Sequence, residues 1–189
     1  DPGIQAQPER QCFPHSAVWA PFGPTPLRIR DEGDVIIVRM QSNEVLRRIW
    51  MDGRSHPSPQ ALHTWSGFST GEWVGETLKI TTTHIKEGFI RRNGIANSDR
   101  AVLMEYITRH DGYLVDIVVL EDPVYLTEPL VREQSYVRFP DNTVLLPYQC
   151  EVRWPVELGP EPFHFTPHFL PGQNPFLQDG VNRADTFED

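Results

Sequence analysis

From Leu27 to Cys150 the chain is a series of short apolar runs with a period of two, separated by turn residues. The runs read LRIR, VIIVRM, VLRRIWMDG, HTWSGFSTGEW, TLKITTTHI, AVLMEYITRH, YLVDIVVLED, VYLTEPLVREQSYVRF and TVLLPYQC. DEGD, QSNE, VGE, DG and PDN stand between them. Helical periodicity is weak throughout, and a short helix fits only around Ile90 to Asp99. This pattern predicts an all-β fold, an antiparallel up-and-down meander closing into a lipocalin-like barrel, because closure removes exposed sheet edges. The longest break, KEGFIRRNGIANSD, is the candidate lid or mouth loop.

One hairpin can be registered from the sequence. Asp111-Gly112 between two apolar runs signals a two-residue turn, in which both central positions need positive φ. That register sets His110 opposite Tyr113, Ile107 opposite Asp116 and Glu105 opposite Val118. One face then carries Leu103, Glu105, Ile107, Leu114, Asp116, Val118 and Leu120. The other, with Tyr106, Val115, Ile117 and Val119, is also apolar and calls for cover by the Pro-rich tail or by a partner chain, which leaves a homo-oligomer open. In TLKITTTHI, Leu78, Ile80, Thr82 and His84 alternate onto one face. With that face inward, Thr82 and His84 look into the barrel.

Composition changes the picture at the ends. Of the 18 prolines in the 189 residues, many fall in Pro14 to Pro26 and Pro155 to Pro175. They predict an extended N-terminal arm (1–26) and a Pro-rich C-terminal tail (155–189) around a barrel domain (27–154). A formal net charge of −9 argues against a nucleic-acid partner and against an anionic membrane surface. No run of about 18 apolar residues is present, so membrane insertion is not expected. Cys12 and Cys150 bracket the strands. A disulfide between them would imply a periplasmic or secreted protein, the alternative being two unrelated thiols. No signal peptide is visible in DPGIQAQPERQ; either a signal has been cleaved or the N-terminus has been trimmed.

Several segments together resemble a family of secreted bacterial proteins. They are RRIWMDGRSHP (Arg47 to Pro57), WSGFSTGEWVGETLKITTT (Trp65 to Thr83), RNG (Arg92 to Gly94) and EDPVYLTEPL (Glu121 to Leu130). Cys12-Phe13-Pro14 and Tyr148-Gln149-Cys150 look like that family's flanks. The resemblance covers about two thirds of the chain and is carried by DGR-x-HP and W-x-G-x-S-x-G-x-W-x-G-[DE]-T-L. It implies an exported, lipocalin-like β-barrel and brings no reaction with it. Three positions depart from the family pattern. Phe68 stands where that family has His, His84 where it has Gly, and Asp116 where it is apolar.

An ionisable group at an apolar barrel position costs stability unless it is paired or used. His84, Glu105 and Asp116 are therefore the candidate catalytic residues, with Trp65, Ser69, Thr82, Tyr106 and Arg54 as candidate substrate-binding residues. A carboxyl whose pKa is raised by an apolar cavity, beside a histidine, suits cofactor-independent acid/base chemistry on a lipophilic small molecule: an isomerase, lyase or cyclase. The alternative is a lipocalin-like carrier of a hydrophobic ligand, and a satisfied buried network would also fit. Arg48, Asp52, Arg54 and His56 form a second cluster, read as structural or as a binder of carboxylate or phosphate. His164 and His168 are spaced like a helical ligand pair, but prolines forbid a helix there, so no metal is expected. With no phosphate loop, dinucleotide fingerprint or nucleophile elbow, no cofactor is expected either.

Overall fold

A computed structural model of the chain describes residues 15–22, 26–90 and 95–146. The β-rich runs become β1 (Leu27–Asp31), β2 (Val35–Met40), β3 (Leu46–Trp50), β4 (Phe68–Val74) and β5 (Thr77–Thr83). They continue as β6 (Gly88–Phe89), β7 (Ala96–Asn97), β8 (Val102–His110), β9 (Tyr113–Glu121) and β10 (Leu130–Val137). Eight of these form one sheet in the order β1-β2-β3-β4-β5-β8-β9-β10, strongly curled into a half-barrel. β6 and β7 make a separate small hairpin where the sequence allowed a helix, so Ala96–Asn97 is strand. No α-helix occurs among the described residues, and none of their helical turns is long and apolar enough to cross a membrane.

The alternation of β5, β8 and β9 places their residues as the sequence predicts. Glu105 pairs with Val118, Ile107 with Asp116 and His110 with Tyr113. Only Asp111 of the two turn residues takes the left-handed region, with φ 50. One such residue at the first position suffices for a two-residue hairpin, and aspartate tolerates it.

Two features depart from a simple antiparallel meander. β3 and β4 run parallel, Ile49 beside Ser69 and Trp50 beside Thr70. Parallel neighbours need a long crossover to bring the chain back to the same end, and residues 51–67, which include the Pro- and Ser-rich loop, supply it. The strand predicted at Thr143 to Cys150 is absent over Thr143 to Leu146. That stretch instead runs near β1 and β2, the Arg28 guanidinium donating to the Thr143 carbonyl at 2.6 Å and the Leu146 amide to Gln41 Oε1 at 3.2 Å.

The N-terminal segment corrects another expectation. Residues 15–22 are not purely extended; they turn through a short 3₁₀ helix (Ala20–Phe22) and pack against the apolar side of the sheet. Ala17 and Val18 join Ile85, Ile90, Leu103, Val118 and Leu120 in one apolar cluster, and Ala20 joins Ile36, Val38, Ile49, Leu78 and Ile80 in the other. Small side chains let this segment approach an uncovered apolar face closely, so burial wins over extension. The Ala17 amide donates to the Trp65 carbonyl at 2.9 Å, and the Tyr136 hydroxyl to the Pro21 carbonyl at 2.5 Å. The tail from 155 and both cysteines lie outside the described residues.

The spacing W-x-G-x-S-x-G is explained by this packing. Gly67 has φ +65, and a Cβ there would sit 2.6 Å from the Thr83 carbonyl oxygen and 2.7 Å from Thr82 Cγ2. At Gly71 a Cβ would meet Met51 Sδ at 2.5 Å and Ile49 Cγ2 at 2.9 Å. We expect Gly67→Ala to cost at least about 3 kcal/mol in chemical denaturation, combining a left-handed backbone with an immovable backbone oxygen. Gly75→Ala has a similar φ but open space around it, and should cost about 1–2 kcal/mol.

Candidate functional site

The inner face carries one polar cluster, assembled by alternation on five strands. In β3 the pattern is exposed Leu46, buried Arg47, exposed Arg48, buried Ile49, so Arg47 shares the core face with Ile49. Its guanidinium makes a two-pronged ion pair with Glu105 on β8, Nη1 to Oε1 at 2.8 Å and Nη2 to Oε2. Nη2 also donates to Thr82 Oγ1 on β5 at 2.6 Å, and Nε to Ser69 Oγ on β4 at 3.1 Å. The two hydroxyls lie 2.8 Å apart and share one further bond. Arg47, Ser69, Thr82 and Glu105 are all at most 4% exposed. Burial works against the Arg47 charge, yet the Glu105 carboxylate beside it holds its pKa above the ordinary value.

Asp116 on β9 completes the cluster. It is 2% exposed, and its Oδ1 has no hydrogen-bond partner. Loss of hydration, then the like charge of Glu105, pushes its pKa up to about 8, with Arg47 pulling the other way. At neutral pH it is a neutral carboxylic acid. Tyr136 on β10 lies near enough to feel both carboxylates and keeps its proton to well above the usual range, first through burial and then through Asp116.

Of the sequence-predicted residues, the structure brings together Glu105, Asp116, Ser69 and Thr82. His84 does not join them. β5 ends at Thr83, and His84 turns away with φ 56, its ring bonded to Thr83 Oγ1 at 2.7 Å and to the Ser58 carbonyl at 2.8 Å. The left-handed backbone breaks the alternation that would have aimed it inward. Tyr106 sits on the opposite face of β8 from Glu105, beside Lys79 and Ile117. Trp65 lies at the end of the crossover with the Lys86 ammonium 5.5 Å over its ring.

Arg54 is a surface residue, paired with Asp52 at 2.8 Å and stacked 3.7 Å over Trp50. The second cluster divides similarly: Arg48 is exposed and His56 bonds to Thr70 and Thr83. Sequence reasoning missed Arg47 and Tyr136. Counting alternation back from Ile49 would have turned Arg47 inward, and a buried cation so close to a buried Glu105 would have been the consequence. Among the described residues no cluster of three or more His, Cys, Asp or Glu could hold a metal ion.

Two measurements check this electrostatics. Arg47→Met should cost about 3–5 kcal/mol, because it strands the Glu105 charge, whereas the double variant Arg47→Met/Glu105→Leu should recover most of that loss. Asp116 supplies a pH dependence. Its folded pKa lies above the unfolded one, so its contribution is fully present below about pH 4 and is lost as pH rises through about 8. The difference in unfolding free energy between the wild type and Asp116→Asn should therefore fall with rising pH, by on the order of 1 kcal/mol per pH unit in that window. A flat difference would mean that Asp116 is ionised in the folded chain.

The cluster has to be read from its own chemistry: no family model matches this chain, and no curated protein or solved structure is similar to it.

Proposed function

We propose that the chain is a lipocalin-like binding protein for a small lipophilic molecule, held against the inner face of the sheet and oriented by Asp116. The observation that carries this reading is the buried Oδ1 of Asp116, which has no partner while Arg47, Ser69, Thr82 and Glu105 around it are all engaged. A buried group that makes no bond destabilises the fold by about 1–3 kcal/mol. A ligand hydroxyl or carbonyl would restore the missing bond. An acid/base enzyme needs a titratable pair free to exchange protons, and here Glu105 is committed to Arg47. A carrier needs only one or two orienting groups in an apolar setting. A cavity of about 100 Å³, lined by Trp19, Phe22, Ile90 and Arg132, opens elsewhere on the same sheet. Closure of the half-barrel, the Cys12–Cys150 disulfide and a periplasmic or secreted home accompany this proposal and rest on the sequence.

A second reading keeps Asp116 as the general acid of a cofactor-independent isomerase, lyase or cyclase. A carboxyl with a pKa of about 8 favours it, because general acids work best with a pKa near the operating pH. One experiment separates the two. Organic extracts of the purified chain are analysed by mass spectrometry, and an environment-sensitive naphthyl ketone is titrated into the emptied protein. Binding should be saturable, and Asp116→Leu should weaken it by about ten- to a hundredfold while leaving the chain folded, the loss of one buried hydrogen bond. Turnover of an extracted molecule that falls about 10²–10⁴-fold in Asp116→Asn would move the assignment to the enzyme. Absence of both extractable ligand and saturable binding would overturn the proposal.

A further inference from the structure

Outside the inner cluster, histidines gather where the crossover 51–67 lies on the outer face of β4 and β5. His56 Nδ1 and His84 Nδ1 each lie 2.7 Å from the same atom, Thr83 Oγ1. His56 Nε2 lies 2.9 Å from Thr70 Oγ1, and His84 Nε2 lies 2.8 Å from the Ser58 carbonyl oxygen. His63 stacks on His84 with centroids 5.1 Å apart and contacts the Asp99 carbonyl through Nε2 at 3.1 Å. His84 is 8% exposed and His56 is partly buried.

One acceptor sets the direction of every bond in this chain. A carbonyl oxygen only accepts, so His84 Nε2 carries a proton. With the ring neutral, His84 Nδ1 must accept, and the only proton available to it is that of the Thr83 hydroxyl. Thr83 Oγ1 then has only lone pairs to offer, so it accepts from His56 Nδ1, and His56 Nε2 accepts from the Thr70 hydroxyl. The neutral chain runs Thr70 to His56 to Thr83 to His84 to Ser58 with every group satisfied.

One added proton can be absorbed by reversal. His84 then donates to Thr83, Thr83 to His56 Nδ1, and His56 Nε2 to Thr70. A second proton is costly: Thr83 Oγ1 would then accept from both Nδ1–H groups, its own hydroxyl proton would lose its partner, and two charged rings would meet at one atom.

We infer that His56, Thr83 and His84 form a pH-operated latch, which holds the crossover 51–67 on β4 and β5 when the rings are neutral and releases it when both become charged. Two further observations point the same way. His84 is one of the few non-glycine residues with a left-handed backbone, φ 56, a conformation that persists only where surrounding bonds impose it. Burial, and then the neighbouring His84, lower the His56 pKa from its ordinary 6.5. A histidine whose folded pKa is depressed contributes stability that is present above about pH 6.5 and lost as pH falls through the folded value.

Of the charges near this face, Arg48 on β3 and Asp99, whose carbonyl meets His63, are exposed to solvent. Glu72 pairs with Lys79 at 2.7 Å, Asp52 with Arg54, and the Lys86 ammonium lies over Trp65. Among the described residues no carboxylate is hydrogen-bonded to either ring.

Hydrogen exchange of the full chain, read by mass spectrometry as protection factors at several pH values, tests the latch. Protection of peptides within residues 55–67 should fall at least about tenfold between pH 7.5 and pH 5, as expected for a linked protonation, while β8 and β9 keep or gain protection. His84→Gly, which keeps the backbone conformation, and His56→Gln should each abolish the step. Protection that is unchanged over this range in the wild type, or a step that persists in both variants, would overturn the proposal. So would simultaneous loss of protection in β8 and β9, which would mean global unfolding.

Discussion

The structure depends on a buried arginine. Once Arg47 points inward from β3, desolvation of its charge must be offset by an acid and by acceptors for its remaining donors, and the residues that provide them lie on three other strands. Ser69 and Thr82 bring hydroxyls within reach, and Glu105 brings the counter-charge from β8. The small residues of β4 belong to the same arrangement, because Gly71 leaves space for Ile49 and Met51 beside it. The ion pair therefore ties β3 to β8 across the two strands between them. A shift of β8 by one residue would turn Glu105 outward and leave the guanidinium without its counter-charge.

Much of this was legible in the sequence, and the limits have definable causes. The Asp111-Gly112 turn and the alternation on both sides of it are local, so the register that puts Glu105 and Asp116 on one face could be counted. That at least one carboxylate on this face has a raised pKa follows from the same count, but which one depends on Arg47, which pairs with Glu105 and leaves Asp116 as the shifted group. The parallel pairing of β3 with β4 could not be counted, since it depends on where a crossover lands. His84 was misplaced for a different reason. Alternation holds only while the backbone remains extended, and nothing local announces that a histidine will adopt φ 56. The N-terminal segment was misread because proline content predicts backbone shape and does not say which surface a short apolar stretch such as Ala17 to Ala20 will cover.

Arg47 and Asp116 occupy the same apolar setting but differ in what the fold gains from them. Replacing one partner of the ion pair strands a charge, so Arg47 and Glu105 are held in place by each other. Asp116 has no such hold. Its Oδ1 makes no bond, and an apolar residue of similar size would pack there without the cost of an unsatisfied carboxyl. The fold would lose nothing by that exchange, which is why a role outside stability is the reading that fits Asp116 and does not fit Glu105.

The two titrating regions act with opposite sign. Protonated Asp116 favours the folded chain, so the inner face is strongest in acid and weakens toward pH 8. The histidine chain is strongest when neutral, and the outer crossover weakens as pH falls below about 6.5. The first effect is global, because the inner cluster joins strands across the sheet. The second is local, because the His56–Thr83–His84 chain ties one segment to β4 and β5. Acid therefore loosens the crossover while tightening the sheet beneath it, so the segment can move without unfolding the strands that carry Asp116.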